Sequence, residues 1–415
     1  MADAPPPPPA APVGLPALAA LRHRNFRLFY AGQFLSLIGT WMQSTAQGWL
    51  VLNLTDSELL LGVVTAAAAA PVVLFSLYAG ALADRADKRR IIVIANTAAL
   101  VLAFLLGLLT YTGTITYPAV LAIAFGLGTA NAFELPTRQT FFVDLVGKDD
   151  LPNAIALNSA QFNGTRIVGP AIAGWLIGTV GTAACFFANS ASYLFVLAGL
   201  RAMRLPAFRP PERHEGTLET IREGLAYIRG DRLVRTLVCL ISAFSILGFP
   251  YVMLMPVFAR DILQVGATGL GWLLAASGTG ALAGGIVLAA AGHRIPRGRL
   301  LLGASFCYCA AVAAFAGSRS FSLSLVLLAA AGFSMVLNTA TINALIQSTV
   351  PDRLRGRVMS VYVFMFIGST PIGALQAGAL SRALDAPTAL QLGVAVLAMI
   401  MLAVAWRVPE LGRAK

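Results

Sequence analysis

The sequence predicts an all-α membrane protein of twelve transmembrane helices, arranged as two pseudo-symmetric six-helix halves. Three observations carry this. The chain of 415 residues is 58% hydrophobic and only 12% charged, beyond the range of soluble globular domains. Its apolar residues fall in runs of about twenty, the length that lets a helix cross a bilayer while satisfying its own backbone hydrogen bonds. Its basic residues sit in the connectors. With the N-terminus placed inside, 25 of the 30 Lys and Arg fall on that side, Arg260, Arg319 and Arg382 on the other, and Arg138 and Arg166 within spans. That asymmetry predicts an even helix number with both termini cytoplasmic. The net charge of +12 therefore reads as topology, with no nucleic-acid partner.

In chain order, residues 1–21 contain the Pro5–Pro9 run and read as a disordered, extended tail without the layout of a cleavable signal. Residues 22–203 form the first half, with spans at 26–52, 59–82, 91–111, 118–145, 153–179 and 183–203. Residues 204–234 form a cytoplasmic linker that opens with Pro206, Pro210 and Pro211. It then places Leu218, Ile221, Leu225 and Ile228 at helical spacing, as an amphipathic helix at the membrane interface does. Residues 235–407 form the second half, with spans at 235–259, 270–292, 300–317, 321–347, 358–381 and 388–406, and 408–415 a C-terminal tail. The halves echo each other: Ala83–Arg90 aligns with Gly292–Arg299, and Gly164, Gly169 and Gly174 with Gly368, Gly373 and Gly378. Two such copies are the arrangement of transporters that bind substrate near the midplane, between the halves. The four cysteines and three histidines form no spacing that suggests a disulfide, metal or cofactor site.

Polar residues inside spans are the candidates for chemistry, because each is costly against lipid. The first span carries Gln33, Thr40, Ser44 and Gln47 on one face, with Gln43 nearby. That face reads as the wall of a watery cavity; the ordinary alternative is hydrogen bonding between helices. The fourth span holds Asn131, Glu134, Arg138 and Asp144. Glu134 and Arg138 are four apart and share a face with Asn131, as either a working charge site or a self-neutralising pair. Pro136 predicts a kink, and Asp144 lies near the inner end, as a gate or interfacial residue would. Arg166 in the fifth span needs a partner or an anion, and Glu134 is the nearest candidate. In the second half Asn338, Asn343 and Gln376 supply amides without charge. The combination suits an amphipathic solute decorated with polar groups. No nucleotide loop, HExxH motif or nucleophile–base set is present, which argues against an enzyme.

The connector Gly80-Ala81-Leu82-Ala83-Asp84-Arg85-Ala86-Asp87-Lys88-Arg89-Arg90 resembles the loop 2–3 signature of the major facilitator superfamily. Gly80, Asp84, Arg85, Lys88, Arg89 and Arg90 match, and Asp87 replaces the usual Gly. The resemblance implies a gating latch centred on Asp84. Gly169-Pro170-x-x-x-Gly174, preceded by Gly164, resembles the fifth-helix signature of the superfamily's export branch and implies a kink with close helix packing. Arg24-Asn25-Phe26-Arg27, Leu135-Pro136-Thr137-Arg138-Gln139, Pro256-Val257-Phe258-Ala259-Arg260-Asp261 and Val350-Pro351-Asp352-Arg353-Leu354-Arg355-Gly356-Arg357 extend the likeness to the transmembrane secretion effectors, a branch that includes an enterobactin exporter. This implies a monomeric, proton-coupled, alternating-access exporter in a bacterial inner membrane, acting on a siderophore, antibiotic or other secondary metabolite. Two family positions depart. Ala122 stands where related exporters carry an Arg, and no acid stands near Thr40, which leaves Glu134 as the proton candidate and Arg138 and Arg166 to tune it. The alternatives are a facilitator or importer without proton coupling, or a membrane sensor that carries no flux.

Overall fold

A computed structural model describes residues 16–205, 217–291 and 295–408. Among them every regular element is helical. The first bundle comprises α1 (Arg24–Thr55), α2 (Glu58–Arg85), α3 (Lys88–Tyr111), α4 (Tyr117–Val146), α5 (Leu151–Thr179) and α6 (Thr182–Ala202). Helix α7 (Thr217–Gly230) lies in the linker. The second bundle comprises α8 (Arg232–Ile262), α9 (Gly266–Ala291), α10 (Arg297–Gly317), α11 (Phe321–Thr349), α12 (Asp352–Ala383) and α13 (Ala386–Arg407). Ten of these are long and apolar enough to cross a membrane. Helices α1 and α5 have the length, at 32 and 29 residues, but their amides, hydroxyls and Arg166 lower the apolarity.

Sharp turns between helices follow from capping. Ser57 accepts from the Leu60 amide at 3.4 Å, and Asp231 from that of Val234 at 2.9 Å. Asp87 accepts from the amides of Arg89 at 2.9 Å and Arg90 at 3.3 Å, so the acid in the usual glycine position is the N-cap of α3. Helix α8 widens into π turns at Phe244–Gly248 and Phe258–Ile262. Pro250 explains the first: it cannot donate to the ladder, and its ring crowds the carbonyl of Ile246 four residues back.

Glycine contacts define how the halves meet. A Cβ on Gly169 would lie 2.5 Å from Trp41 Cβ in α1, and one on Gly373 would lie 2.8 Å from Ser245 O in α8. A Cβ on Gly174 would lie 2.7 Å from Ala267 O in α9, and one on Gly378 would lie 2.7 Å from Glu58 O in α2. Helix α5 thus bridges α1 and α9 as α12 bridges α8 and α2, which is the two-fold relation of the halves. Each pair closes the far end, the end remote from the α2–α3 connector. Towards the other, basic end the same pairs part. A Cβ on Gly368 would be 3.8 Å from the Val73 side chain, and one on Gly80, Gly164 or Gly356 would have nothing within 4 Å. The halves form a V, shut at the far end.

Two boundary expectations shift. Pro16–Arg22, placed in the disordered tail, forms a 3-10 helix in which Ala20 is fully buried and donates its amide to Asn153 Oδ1 at 2.9 Å. In α7, Leu225 is exposed rather than on the docking face. Gly224 instead packs on the Arg357 backbone, Ile228 is buried, and Glu223 pairs with Arg357, so the linker helix is fastened to the second half. The side chains of Leu218 and Ile221 and all of Gly292–Arg294, expected in the apolar face and in the echo of the gating loop, lie outside the described residues, as do the remaining tails.

Candidate substrate and proton site

Helix α1 presents two exposed stripes. Phe34 and Leu35 form an apolar one, and Thr40 and Ser44 lie on the opposite side with half-buried Gln47. Two such faces fit lipid on one side and the cleft of the V on the other. Gln43 does not join that wall: it is buried and accepts from Asn189 Nδ2 of α6 at 2.6 Å, the helix–helix alternative. Gln33 is buried too, and its carboxamide is spoken for at both ends. Its Nε2 donates to Glu134 Oε1 at 3.3 Å, and its Oε1 accepts from Arg138 Nη1 at 3.3 Å. Arg138 Nε lies 3.4 Å from the same Glu134 oxygen, with the two side chains 10% and 13% exposed. Helix α4 therefore supplies an acid and a base one turn apart, and α1 supplies an amide that contacts both. Helix α4 runs unbroken through Pro136, and Asn131 is exposed.

Arg166 is not part of this triad. Its guanidinium carbon lies 5.9 Å from the centre of the Trp41 ring, within cation–π range, and the residue is half-buried. The expected pairing with Glu134 fails because Gly169 draws α5 onto Trp41, and that contact turns Arg166 over the indole rather than toward α4.

At the basic end the first bundle is tied to itself. Lys88 Nζ meets Asp144 Oδ2 at 2.8 Å, joining the start of α3 to the end of α4. Arg89 donates to Arg201 O at 3.4 Å, while Arg85 and Arg90 are exposed. The side chain of Asp84 lies outside the described residues. Between α2, α4 and α12 the V holds a cavity of about 470 Å³, lined by Ser76, Gly80, Gln139, Met359, Ser360 and Phe364 among others. In the second half, Asn338 is fully buried and donates to Ser305 Oγ, Asn343 is half-buried and accepts from Gln347, and Gln376 is half-buried.

The far end carries a link that no spacing in the sequence announces. Arg260 at the end of α8 pairs with Asp56 beyond α1, donates to Leu52 O at 3.0 Å, and binds Asp261 at 2.7 Å. It ties the second half to the first where the V is shut.

A family model described as "Transmembrane secretion effector" matches residues 15–415. The chain belongs to the transmembrane secretion effector family. This secretion effector is 25% identical to the staphyloferrin A transporter of Staphylococcus aureus over 84% of this chain and 87% of that one. It is 29% identical to the multidrug efflux pump Tap of Mycolicibacterium fortuitum over 83% and 86%. It is 24% identical to the enterobactin exporter EntS of Shigella boydii over 86% and 85%. Among solved structures, a bacterial homologue of the human lysosomal transporter Spinster, in an inward-facing and unoccupied conformation, superposes with a TM-score of 0.74 at 14% identity, covering 92% of this chain and 96% of that one. The nucleoside transporter NupG superposes with a TM-score of 0.69 at 14% identity, covering 92% and 98%. The fold is that of the major facilitator superfamily, and the secretion effector is a multi-pass membrane transporter of small molecules of a bacterial kind, not an enzyme.

Proposed function

We propose that this protein exports small amphipathic molecules, of the siderophore, antibiotic or secondary-metabolite class, in exchange for protons. The observation that carries the proton half is Glu134. Among the described residues it is the only acid deep within a span, and it contacts Gln33 and Arg138 beside the cleft. Arg138, one turn along the same helix, answers the charge of that carboxylate. A proton arriving on Glu134 cancels the pair and leaves Arg138 to rely on Gln33. That change gives the cleft two electrostatic states, which lets proton occupancy bias the two conformations of an alternating-access cycle. Names of the relatives support export.

In this reading all twelve long bundle helices cross a bacterial inner membrane, both termini are cytoplasmic, and a monomer in lipid suffices. The basic end then faces the cytoplasm, and the V is an inward-open state. Arg85 and Arg90, exposed here, engage the second half when that end closes, and the Lys88–Asp144 pair holds the connector in place for them.

A second reading has its own support: Glu134 is already neutralised by Arg138, so the pair is equally suited to structure in a facilitator. The experiment uses protein in liposomes with a trapped pH dye, an imposed proton gradient and a panel of siderophores and amphipathic antibiotics. Substrate-dependent proton movement lost in Glu134→Gln supports antiport at this carboxyl. Equal movement in both proteins removes Glu134 from the mechanism. Substrate flux without proton movement establishes the facilitator.

A further inference from the structure

We infer that Arg166, held on Trp41, is a binding site for the anionic group of an aromatic substrate; this names a substrate class within the exporter reading above. A guanidinium at mid-span is costly unless something answers its charge. Glu134, the deep acid, is spent on Arg138 and Gln33, and no carboxylate lies within salt-bridge distance of Arg166 among the described residues. Its one described side-chain contact is the indole of Trp41.

The fold builds this contact. Gly169 lets α5 touch α1 at Trp41 Cβ, and Arg166 sits one turn before it on the same helix. Phe162, a further turn back, meets the indole in a T-shaped contact at 5.5 Å between ring centres. Trp41 is thus clamped by α5, and the guanidinium is positioned from beneath. An arginine carried on a ring face keeps its in-plane N–H groups free, and these form the fork that takes a carboxylate or a pair of phenolate oxygens with two parallel hydrogen bonds.

The position suits a ligand. A Cβ on Gly278 of α9 would be 3.2 Å from Arg166 O, while one on Gly164 would meet nothing within 4 Å, so Arg166 stands near the crotch of the V. Ser44, exposed on the polar stripe of α1 and one turn from Thr40, offers a hydroxyl on the cleft side, while Thr40 donates its own to Ser36 O at 2.9 Å. An anion here is recognised by charge and geometry, and its ring by the aromatic pair. Parting α5 from α9 would move this site from one half's reach to the other's.

The test measures binding of 2-hydroxybenzoate and its neutral amide to the purified full-length protein by calorimetry. The expected result is that the acid binds wild type at least tenfold more tightly than the amide. Arg166→Gln should remove that preference, and Arg166→Lys, which keeps the charge but not the fork, should retain part of it. A folded Arg166→Gln variant, shown by an unchanged melting temperature, that binds the acid as wild type does overturns the proposal. So does a wild type that binds acid and amide alike or neither. If Arg166→Gln fails to fold, Arg166→Lys and Trp41→Leu decide: unchanged acid preference in both overturns the site. Wild-type flux in vesicles is read separately. Arg166-dependent binding without any flux keeps this site and sinks the exporter reading, whereas flux without it does the reverse.

Discussion

Asp87 shows how one residue resolves a departure from a family pattern. Where the superfamily places Gly, this chain places an acid whose carboxylate caps two amides of α3. Glycine is nearly as good an N-cap as aspartate, while alanine is worse by about 1 kcal/mol. Asp87→Gly is therefore expected to leave the melting temperature almost unchanged, and Asp87→Ala to lower it by a few degrees in a detergent melt. At Glu134 and Arg138 the four-residue spacing made the pair legible from the chain alone. The amide that completes it did not announce itself, because Gln33 reads as a cavity residue until the rotation of α1 is known. Whether Arg166 meets Glu134 is hidden from the sequence for the same reason. Which way a mid-span arginine points depends on which neighbour its helix leans against, and here Gly169 and Trp41 decide it. Removing Arg138 leaves Glu134 uncompensated, and breaking a buried pair in this way costs about 3–5 kcal/mol. Glu134→Gln leaves the Arg138 guanidinium unanswered in the same way, so both single variants should melt below wild type and the double variant should recover part of the loss; thermal unfolding of the three proteins checks this.

At the scale of elements, spans and connectors were readable because apolar length and basic connectors are set locally. The twelve long helices fall where the hydropathy pattern placed them, with α1 and α5 the least apolar because they carry the polar residues of the cleft. Pairing between helices was only half readable. The glycine echo between α5 and α12 could be seen in the chain, but not that each helix uses it to touch one partner in its own half and one in the other. A side chain at Gly378 would meet the Glu58 carbonyl, which cannot swing aside. Gly378→Val should pry the far end open. A cysteine placed at Glu58, with the four native cysteines replaced, is expected to react several-fold faster with a membrane-impermeant maleimide in that variant. Unchanged labelling would mean that α2 and α12 do not bear the closure.

At the scale of the whole molecule, the two ends are held by different means. The far end is joined by backbone contacts and by Arg260, which crosses from α8 to Asp56 and Leu52 of the first half. Exposed ion pairs are worth at most about 1 kcal/mol, enough to shift a two-state balance about fivefold. Arg260→Gln and Asp56→Asn should each raise far-end labelling by about that factor, and Arg260→Lys, which keeps the charge, should raise it less. The glycine contacts have a further consequence for how such a protein changes under selection. Where main chain meets main chain there is no side-chain chemistry to vary, and any substitution alters shape first. Random mutants that abolish transport of every compound should therefore gather at Gly62, Gly174, Gly271 and Gly378. Mutants that exchange one compound for another should gather instead around the 470 Å³ cavity, where an atom added at Gly80 or Gly356 has room. A lineage under antibiotic pressure could explore new cargo at the open end for many generations without disturbing the closure it depends on.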